Sequence, residues 1–353
     1  MTAVPAPELS DLVREFKARG WHEKPTARIL LQLAAHLGLI LTGFALLLTF
    51  EYWLARAAGL TLLVYGTTGV ATNTHTSSHY GTSRSRRLNE FLTWFGYPFF
   101  LGFSASYWRH SHIAVHHPSP NVVGVDDFVD VAPFFARTRE EIARSRPLAR
   151  FYYEHLQWMA LLVLLAGQSL HLQVLGARHL LRRLTQPARR TRAAWFDLLG
   201  LVLHSAGFLV VPALLAGWHP TLALYALRGI GVGYLLFIIL APGHFPAGAA
   251  CLTGHPGPGY FLEHIAATTV NYRTGPIGRL LCGGIEYHIE HHLFPGVSHV
   301  FYPAMSERVR AFFEARGLPY RSVSWTEGIR QSIGTFRRPP GIIPAAQLRG
   351  TPL

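Results

Sequence analysis

The stretch Leu54-Ala-Arg-Ala-Ala-Gly-Leu-Thr-Leu-Leu-Val-Tyr-Gly-Thr-Thr-Gly-Val70, followed by Ala-Thr-Asn-Thr-His75-Thr-Ser-Ser-His79, decides the fold. Its first part is apolar and close to the ~20 residues that a helix needs to cross a bilayer core. Its one charge, Arg56, lies near the start, where the side chain can snorkel to the interface. Two histidines follow at the other end. Positions four apart share a face of a helix, so both imidazoles can bind one metal ion.

The rest of the chain repeats the apolar theme. Half of the 353 residues are hydrophobic and only 14% are charged, against ~25% in soluble domains. The mean hydropathy is +0.21. These values exclude a disordered chain, a coiled coil and an ordinary cytosolic enzyme. Further apolar stretches run over Ile29 to Phe50, Trp158 to Leu175, Leu198 to Trp218 and Leu222 to Leu240. The first pair of stretches is too long and too polar-flanked for a signal peptide. Phe91 to Tyr107 is apolar but broken by Gly96, Pro98 and Gly102, and reads as interfacial or partly buried. Cys251 and Cys282 are the only cysteines, too few for a disulfide framework or a Cys-rich metal site.

Charge sets the orientation. The formal net charge is +13, and 15 arginines but no lysine lie between His75 and Ala194. The turn at Gly217 to Pro220 has no charge, and the turn between the first two stretches holds little more than Glu51. The positive-inside rule then puts the arginine-rich segment and both termini in the cytoplasm. These arginines set topology and meet lipid headgroups. Nucleic acid is not expected as a partner, because the basic residues lie beside membrane spans.

Histidine carries the chemistry, at 20 residues. At that frequency roughly one HxxxH pair arises by chance, so His75/His79 alone says little. His110-Ser-His112-Ile-Ala-Val-His116-His117 is denser, and His288-Ile-Glu-His291-His292 is an HxxHH triplet. A triplet of that kind is expected about 0.06 times per chain, so the two clusters mark a metal site. Adjacent histidines can straddle two metals, and eight or more ligands exceed what one ion takes. Imidazole suits zinc, copper, iron and nickel alike. Lone histidines such as His36, His155, His204 and His219 read as structural. Glu286 and Glu290 sit before or between histidines and read as partners of the ligands rather than ligands.

Parity constrains the topology. For the clusters at 75–117 and 288–292 to meet, an even number of crossings must separate them. Three apolar stretches lie between, so one does not cross, and Trp158 to Leu175, with Gln168, His171 and Gln173, is the one expected to stay at the surface. The expected fold is all-α: a multi-pass membrane helical bundle of about four transmembrane helices with a cytoplasmic histidine-rich catalytic cap. Residues 1–25 read as a cytoplasmic amphipathic lead, 26–336 as the membrane domain and 337–353 as a flexible Pro-rich tail.

With these residues in view, the chain resembles the integral-membrane fatty acid desaturase family and its three histidine boxes. His75 to His79 is similar to box one, His112 to His117 to box two and His288 to His292 to box three. Gly283-Gly-Ile-Glu-Tyr-His288-Ile-Glu-His291-His292-Leu-Phe-Pro295 resembles the third-box signature of bacterial and front-end acyl desaturases. His117-Pro-Ser-Pro-Asn121-Val-Val-Gly-Val-Asp126 and the stretch from Phe301-Tyr-Pro303 to Gly317-Leu-Pro-Tyr320 also look like the family. The resemblance covers roughly residues 60–325.

The resemblance implies two iron ions held by His75, His79, His112, His116, His117, His288, His291 and His292, with His244 as a further ligand and His264 in reserve. It implies no catalytic side chain beyond the metal ligands and no other cofactor site. Three departures stand out. Thr76 follows His75 where a box-one aspartate is frequent. Ile113 leaves His110 or His112 as the first ligand of box two. His288 stands where front-end members often carry glutamine. His255-Pro-Gly-Pro258 resembles the haem-binding signature of cytochrome b5, but Pro258 and the lack of a surrounding soluble domain count against it. A separate electron donor is therefore expected, such as ferredoxin or cytochrome b5.

The implied activity is O₂-dependent fatty acyl desaturation, an oxidoreductase reaction at the di-iron site that makes a C=C bond and water. The acyl substrate would be carried by coenzyme A, acyl carrier protein or a lipid. The expected location is an integral multi-pass membrane protein, in the plasma or inner membrane if bacterial, with the active site on the cytoplasmic side. Hydroxylation, ketolation or acetylenic bond formation on the same scaffold is the near alternative. A histidine-rich metal transporter would place its histidines inside the spans, and a zinc hydrolase would leave most of them unexplained.

Overall fold

A computed structural model describes residues 8–254 and 257–348. Among them, five helices are long and apolar enough to cross a membrane: Thr26–Thr49, Trp53–Ser78, Gln157–Thr185, Arg192–Ala216 and Trp218–His244. Leu31, Leu41, Leu48, Leu214 and Leu215 stand exposed on them, as expected of surfaces whose solvent is lipid.

The helices outrun the apolar stretches that announce them. The apolar run ending at Val70 continues as helix through Ala71–Ser78, a polar segment rich in threonine and serine. That turn-rich composition does not break the helix because the whole segment is buried. Its hydroxyls bond back to the carbonyl four residues earlier, as Thr74 does to Val70 and Ser77 to Asn73. The first two helices approach closely where small residues face each other: a Cβ at Gly43 would stand 2.6 Å from the Gly59 carbonyl oxygen. Small residues at such contacts let apolar helices pack without a solvent-driven force.

The Gln157–Thr185 helix is interrupted by a tight turn at Leu165–Gly167. Its first residue, Gln157, accepts from the Ala136 amide at 2.9 Å, and the Trp158 ring lies under Arg337. Near its other end, His179 stacks on His110 at 5.2 Å. In its middle, Gln173 donates to the Tyr225 hydroxyl and the Leu101 carbonyl. The Phe91–Tyr107 segment is partly buried: a helix at Arg86–Trp94 widens into a π-helix at Phe95–Leu101 with Pro98 inside.

The helical fold expected from the sequence carries one addition. The protein is mostly helical, and among the described residues four short strands form two parallel pairs. β1 (Cys251–Thr253) pairs with β4 (Ile342–Pro344), and β2 (Asn271–Arg273) pairs with β3 (Ser322–Ser324). Three-residue strands carry little periodic signal, and both pairings are long-range. β4 also changes the reading of residues 337–353 as a flexible tail. The stretch is tied to β1 through its own backbone, and Ala345 and Leu348 are buried beyond it. Residues 349–353 and 1–7 lie outside the described residues.

The amphipathic lead forms a helix at Leu9–Ala18 and lays Leu12 and Phe16 against Met305, Val309 and Phe313 of the Tyr302–Ala315 helix. Full burial of a side chain like Phe16 contributes roughly 1.5–3 kcal/mol. The lead thereby braces the C-terminal segment against Ile289 and Leu293 of box three.

Candidate metal centre

Four chain segments deliver the histidines. His75 lies in the last turn of the Trp53–Ser78 helix and His79 is its C-terminal cap. Box two is wound as a π-helix, Arg109–His116, with the His117 amide bonded to the His112 carbonyl five residues back at 3.1 Å. Box three is the six-residue helix His288–Leu293. His244 closes the Trp218–His244 helix.

These side chains meet in two buried groups. His75, His79, His112, His117 and His291 form one; His116, His244, His288 and His292 form the other. Within each group one nitrogen per ring lies within 4.8 Å of all the others. All nine histidines named above are thus brought together. Each adjacent pair is split, with His117 and His291 facing one group and His116 and His292 the other. The π-turn does this for box two, because a five-residue hydrogen bond puts His112 and His117 on one side. Of the open alternatives, His112 enters the first group while His110 is exposed. His244 enters the second; His264 joins neither, and its Nε2–H donates to the Pro120 carbonyl at 2.9 Å. His255 lies outside the described residues.

The second group defines its own protonation. His116 Nδ1–H donates to Asp126 Oδ2 at 2.8 Å, and the Nδ1–H groups of His244 and His288 donate to the Thr268 and Ile285 carbonyls at 3.1 Å. A carboxylate and two carbonyls can only accept, so each Nδ1 carries a proton, and in the neutral ring that leaves Nε2 as the free lone pair. Yet His288 Nε2 stands 2.6 Å from His244 Nε2, which stands 3.1 Å from His292 Nε2. The Nε2 lone pairs of His244 and His288 facing each other repel unless a cation lies between them. In the first group, His75 and His117 each bring Nε2 within 3.2 Å of His112 Nε2, at 2.9 and 3.2 Å. The buried Nε2 atoms of His79, His116 and His291 have no hydrogen-bond partner.

Burial, and then the neighbouring imidazoles, hold His79, His112, His117, His291 and His292 far below the usual histidine range, and His288 at about 3. The rings are neutral, the form that binds metal. A donor set of imidazole nitrogens in two adjoining groups therefore fits a pair of transition-metal ions.

The supporting contacts are the part that spacing did not reveal. Asp126 accepts from three donors: His116 Nδ1–H, the Asn121 amide and the Phe128 amide. Trp108 stacks on His112 at 4.3 Å and donates to Ser78, locking box two onto box one. At the position where an aspartate was missing, Thr76 donates to His299 Nδ1 at 2.8 Å, and His299 Nε2–H donates to Gln32 at 2.9 Å. Burial holds His299 at about 4, so that link stays neutral. Gly243 is required for approach: a Cβ there would stand 2.5 Å from the His288 ring.

Asp126→Asn tests the orientation of His116. An amide cannot accept from both His116 and Asn121 at one atom position and from Phe128 at the other, because one of its two heads donates. Metal affinity is expected to fall about 10–100-fold, read by competition with a chelator. Unchanged affinity would mean that Asp126 does not orient the ring.

Both groups open on one cavity of about 320 Å³, whose wall includes His75 from the first group and His244 from the second. Phe103, Trp108, Phe128, Phe135, Leu165 and Leu236 make much of the remaining wall. Such a volume is at the small end of ligand pockets and its lining suits an apolar chain.

Fold and site define the class: a helical membrane protein with a buried, histidine-built metal centre beside an apolar cavity. The Fatty acid desaturase family profile matches residues 51–324, and the chain belongs to that family. It is 28% identical over 267 residues to a Delta(5) fatty acid desaturase of Caenorhabditis elegans, covering 74% of this chain and 59% of that one. A Delta(8)-fatty-acid desaturase of Euglena gracilis is 26% identical over 84% of this chain and 70% of its own length. An NADPH-dependent stearoyl-CoA 9-desaturase of Mycobacterium tuberculosis is 26% identical over 63% and 53%. The chain thus spans between about half and seven tenths of these relatives.

Proposed function

We propose that this protein is an O₂-dependent fatty acyl desaturase whose nine clustered histidines hold two irons. The observation that carries the reading is that two groups of buried imidazoles, one nitrogen set apiece, share a wall of one apolar cavity. Unactivated C–H bonds are beyond any side chain, and iron with O₂ supplies the oxidant. Overall, two neighbouring carbons each lose a hydrogen, O₂ is reduced to two waters, and a separate donor such as ferredoxin or cytochrome b5 provides two electrons with two protons. The protein's own residues orient and exclude. Phe103, Phe135, Leu165 and Leu236 hold the acyl chain beside His75 and His244 and keep water away. Asp126, Thr268 and Ile285 keep the Nε2 atoms of His116, His244 and His288 turned toward the second group.

Four crossings, with Gln157–Thr185 kept at the membrane surface, are supported by the contacts of that helix. Both ends of that helix touch elements near the histidines: Gln157 meets Ala136, and His179 meets His110. The arginine excess then favours the cytoplasm for this side. In this reading 26–336 is the membrane unit and 1–25 its lead. The relatives' names support a long acyl substrate, on coenzyme A, acyl carrier protein or lipid.

The test is fatty acid analysis of cells that co-express the chain with an electron donor. A new alkene, absent with His292→Ala, is expected. A hydroxylated product, or no product with an iron-loaded protein and a working donor, would overturn the reading.

A further inference from the structure

Box three presents a mechanical problem. The His288–Leu293 helix has six residues, too few to hold a helix by its own hydrogen bonds. Yet it carries three of the nine clustered histidines and divides them between the two groups. Something outside the helix must fix it.

The opposite face of that helix is gripped by two residues that belong to no histidine box. Asn271 Oδ1 accepts from the Ile289 amide at 2.8 Å, and Asn271 Nδ2 donates to Glu290 Oε2 at 2.8 Å. Tyr320 Oη donates to Glu290 Oε1 at 2.7 Å and accepts from Asn271 Nδ2 at 2.7 Å. Glu290 is fully buried and Asn271 nearly so. The two grips are themselves joined. Asn271 opens β2, whose partner β3 begins two residues after Tyr320, and the Asn271 amide donates to the Arg321 carbonyl at 2.9 Å. The Tyr320 ring is wedged edge-on against Phe313 and lies under Arg310. The Gly317-Leu-Pro-Tyr320 motif thus ends at the back of the metal centre.

We propose that Asn271 and Tyr320 are positioning residues of the metal centre: by clamping Glu290 and Ile289 they set where His291 stands relative to His288 and His292. This rests on the di-iron reading above. A buried carboxylate bound by two side-chain donors defines direction as well as distance, which a packed apolar face would not do for so short a helix.

The experiment uses the full-length, iron-loaded protein in detergent. Wild type, Tyr320→Phe, Asn271→Ala and Arg310→Ala are compared by iron release to a chelator, by Mössbauer spectrum and by Tm of the metal-free form. Tyr320→Phe and Asn271→Ala are expected to lose iron about tenfold faster and to change the Mössbauer spectrum. Arg310→Ala, which removes only the cation above the ring, is expected to behave as wild type. A merely structural role would lower the metal-free Tm and leave the iron signature alone. Wild-type release rates and spectra in both clamp variants would overturn the proposal. A wild-type protein that binds no iron would instead overturn the di-iron reading, and the clamp with it.

Discussion

His291→Ala is expected to reduce bound iron from about two per chain to one or none and to bring desaturation below detection. His291 comes from box three but faces the group otherwise built by boxes one and two. Its ring lies 4.5 Å from that of His75 and 4.7 Å from that of His117, and its Nε2 is buried with no hydrogen-bond partner. Removing it strips a ligand from the first ion and uncouples box three from the other boxes at once. Outer partners of a metal ligand are worth 10–100-fold in affinity, so loss of the ligand itself is expected to cost on the order of 10³-fold. His110→Ala is the matched control. His110 is exposed and stacks on His179, outside both groups, so its variant is expected to keep iron and activity. Metal content by mass spectrometry beside product analysis reads both. One zinc per chain, or iron that survives His291→Ala, would sink the assignment.

Gly167→Phe is expected to lower turnover of long acyl chains on the order of 10²-fold while leaving iron unchanged. Gly167 lines the cavity at the tight turn of the Gln157–Thr185 helix. Its backbone, φ −89° and ψ −5°, is open to any L residue, and a Cβ there would meet no atom within 4 Å. The backbone therefore accepts the ring without straining the helix, and the ring is expected to obstruct the stretch of cavity wall that Gly167 borders. A displacement of about 1 Å at the reacting carbons is enough for a loss of that size. Gly207→Phe is the control. Its Cβ also meets nothing within 4 Å, and Gly207 does not line the cavity. Equal turnover by both variants would mean that the acyl chain lies elsewhere.

Much of this protein was legible before its structure. The apolar stretches at Ile29 to Phe50 and Leu222 to Leu240 each seed a long helix, because about 20 apolar residues leave no other way to satisfy the backbone in lipid. Their ends were not legible. Ala71–Ser78 is polar by composition and helical only because neighbouring segments bury it. The nine histidines named from spacing and resemblance are the nine in the two groups. Asp126 was visible only as part of a resembling stretch, and Asn271 carried no signal at all.

The sequence by itself determined which rings can share a face, because positions three and four apart on a helix are neighbours whatever surrounds them. That is a local fact, written in His75/His79 and His288/His292. Only the tertiary structure decided which ring faces which group. The split of His116 from His117 depends on a π-turn, and that of His291 from His292 on a six-residue helix held from behind by Asn271 and Tyr320. The cavity depends on loops and helices far apart in the chain closing around His75 and His244. Such long-range contacts have no fixed spacing, so their geometry exists only once the segments are packed.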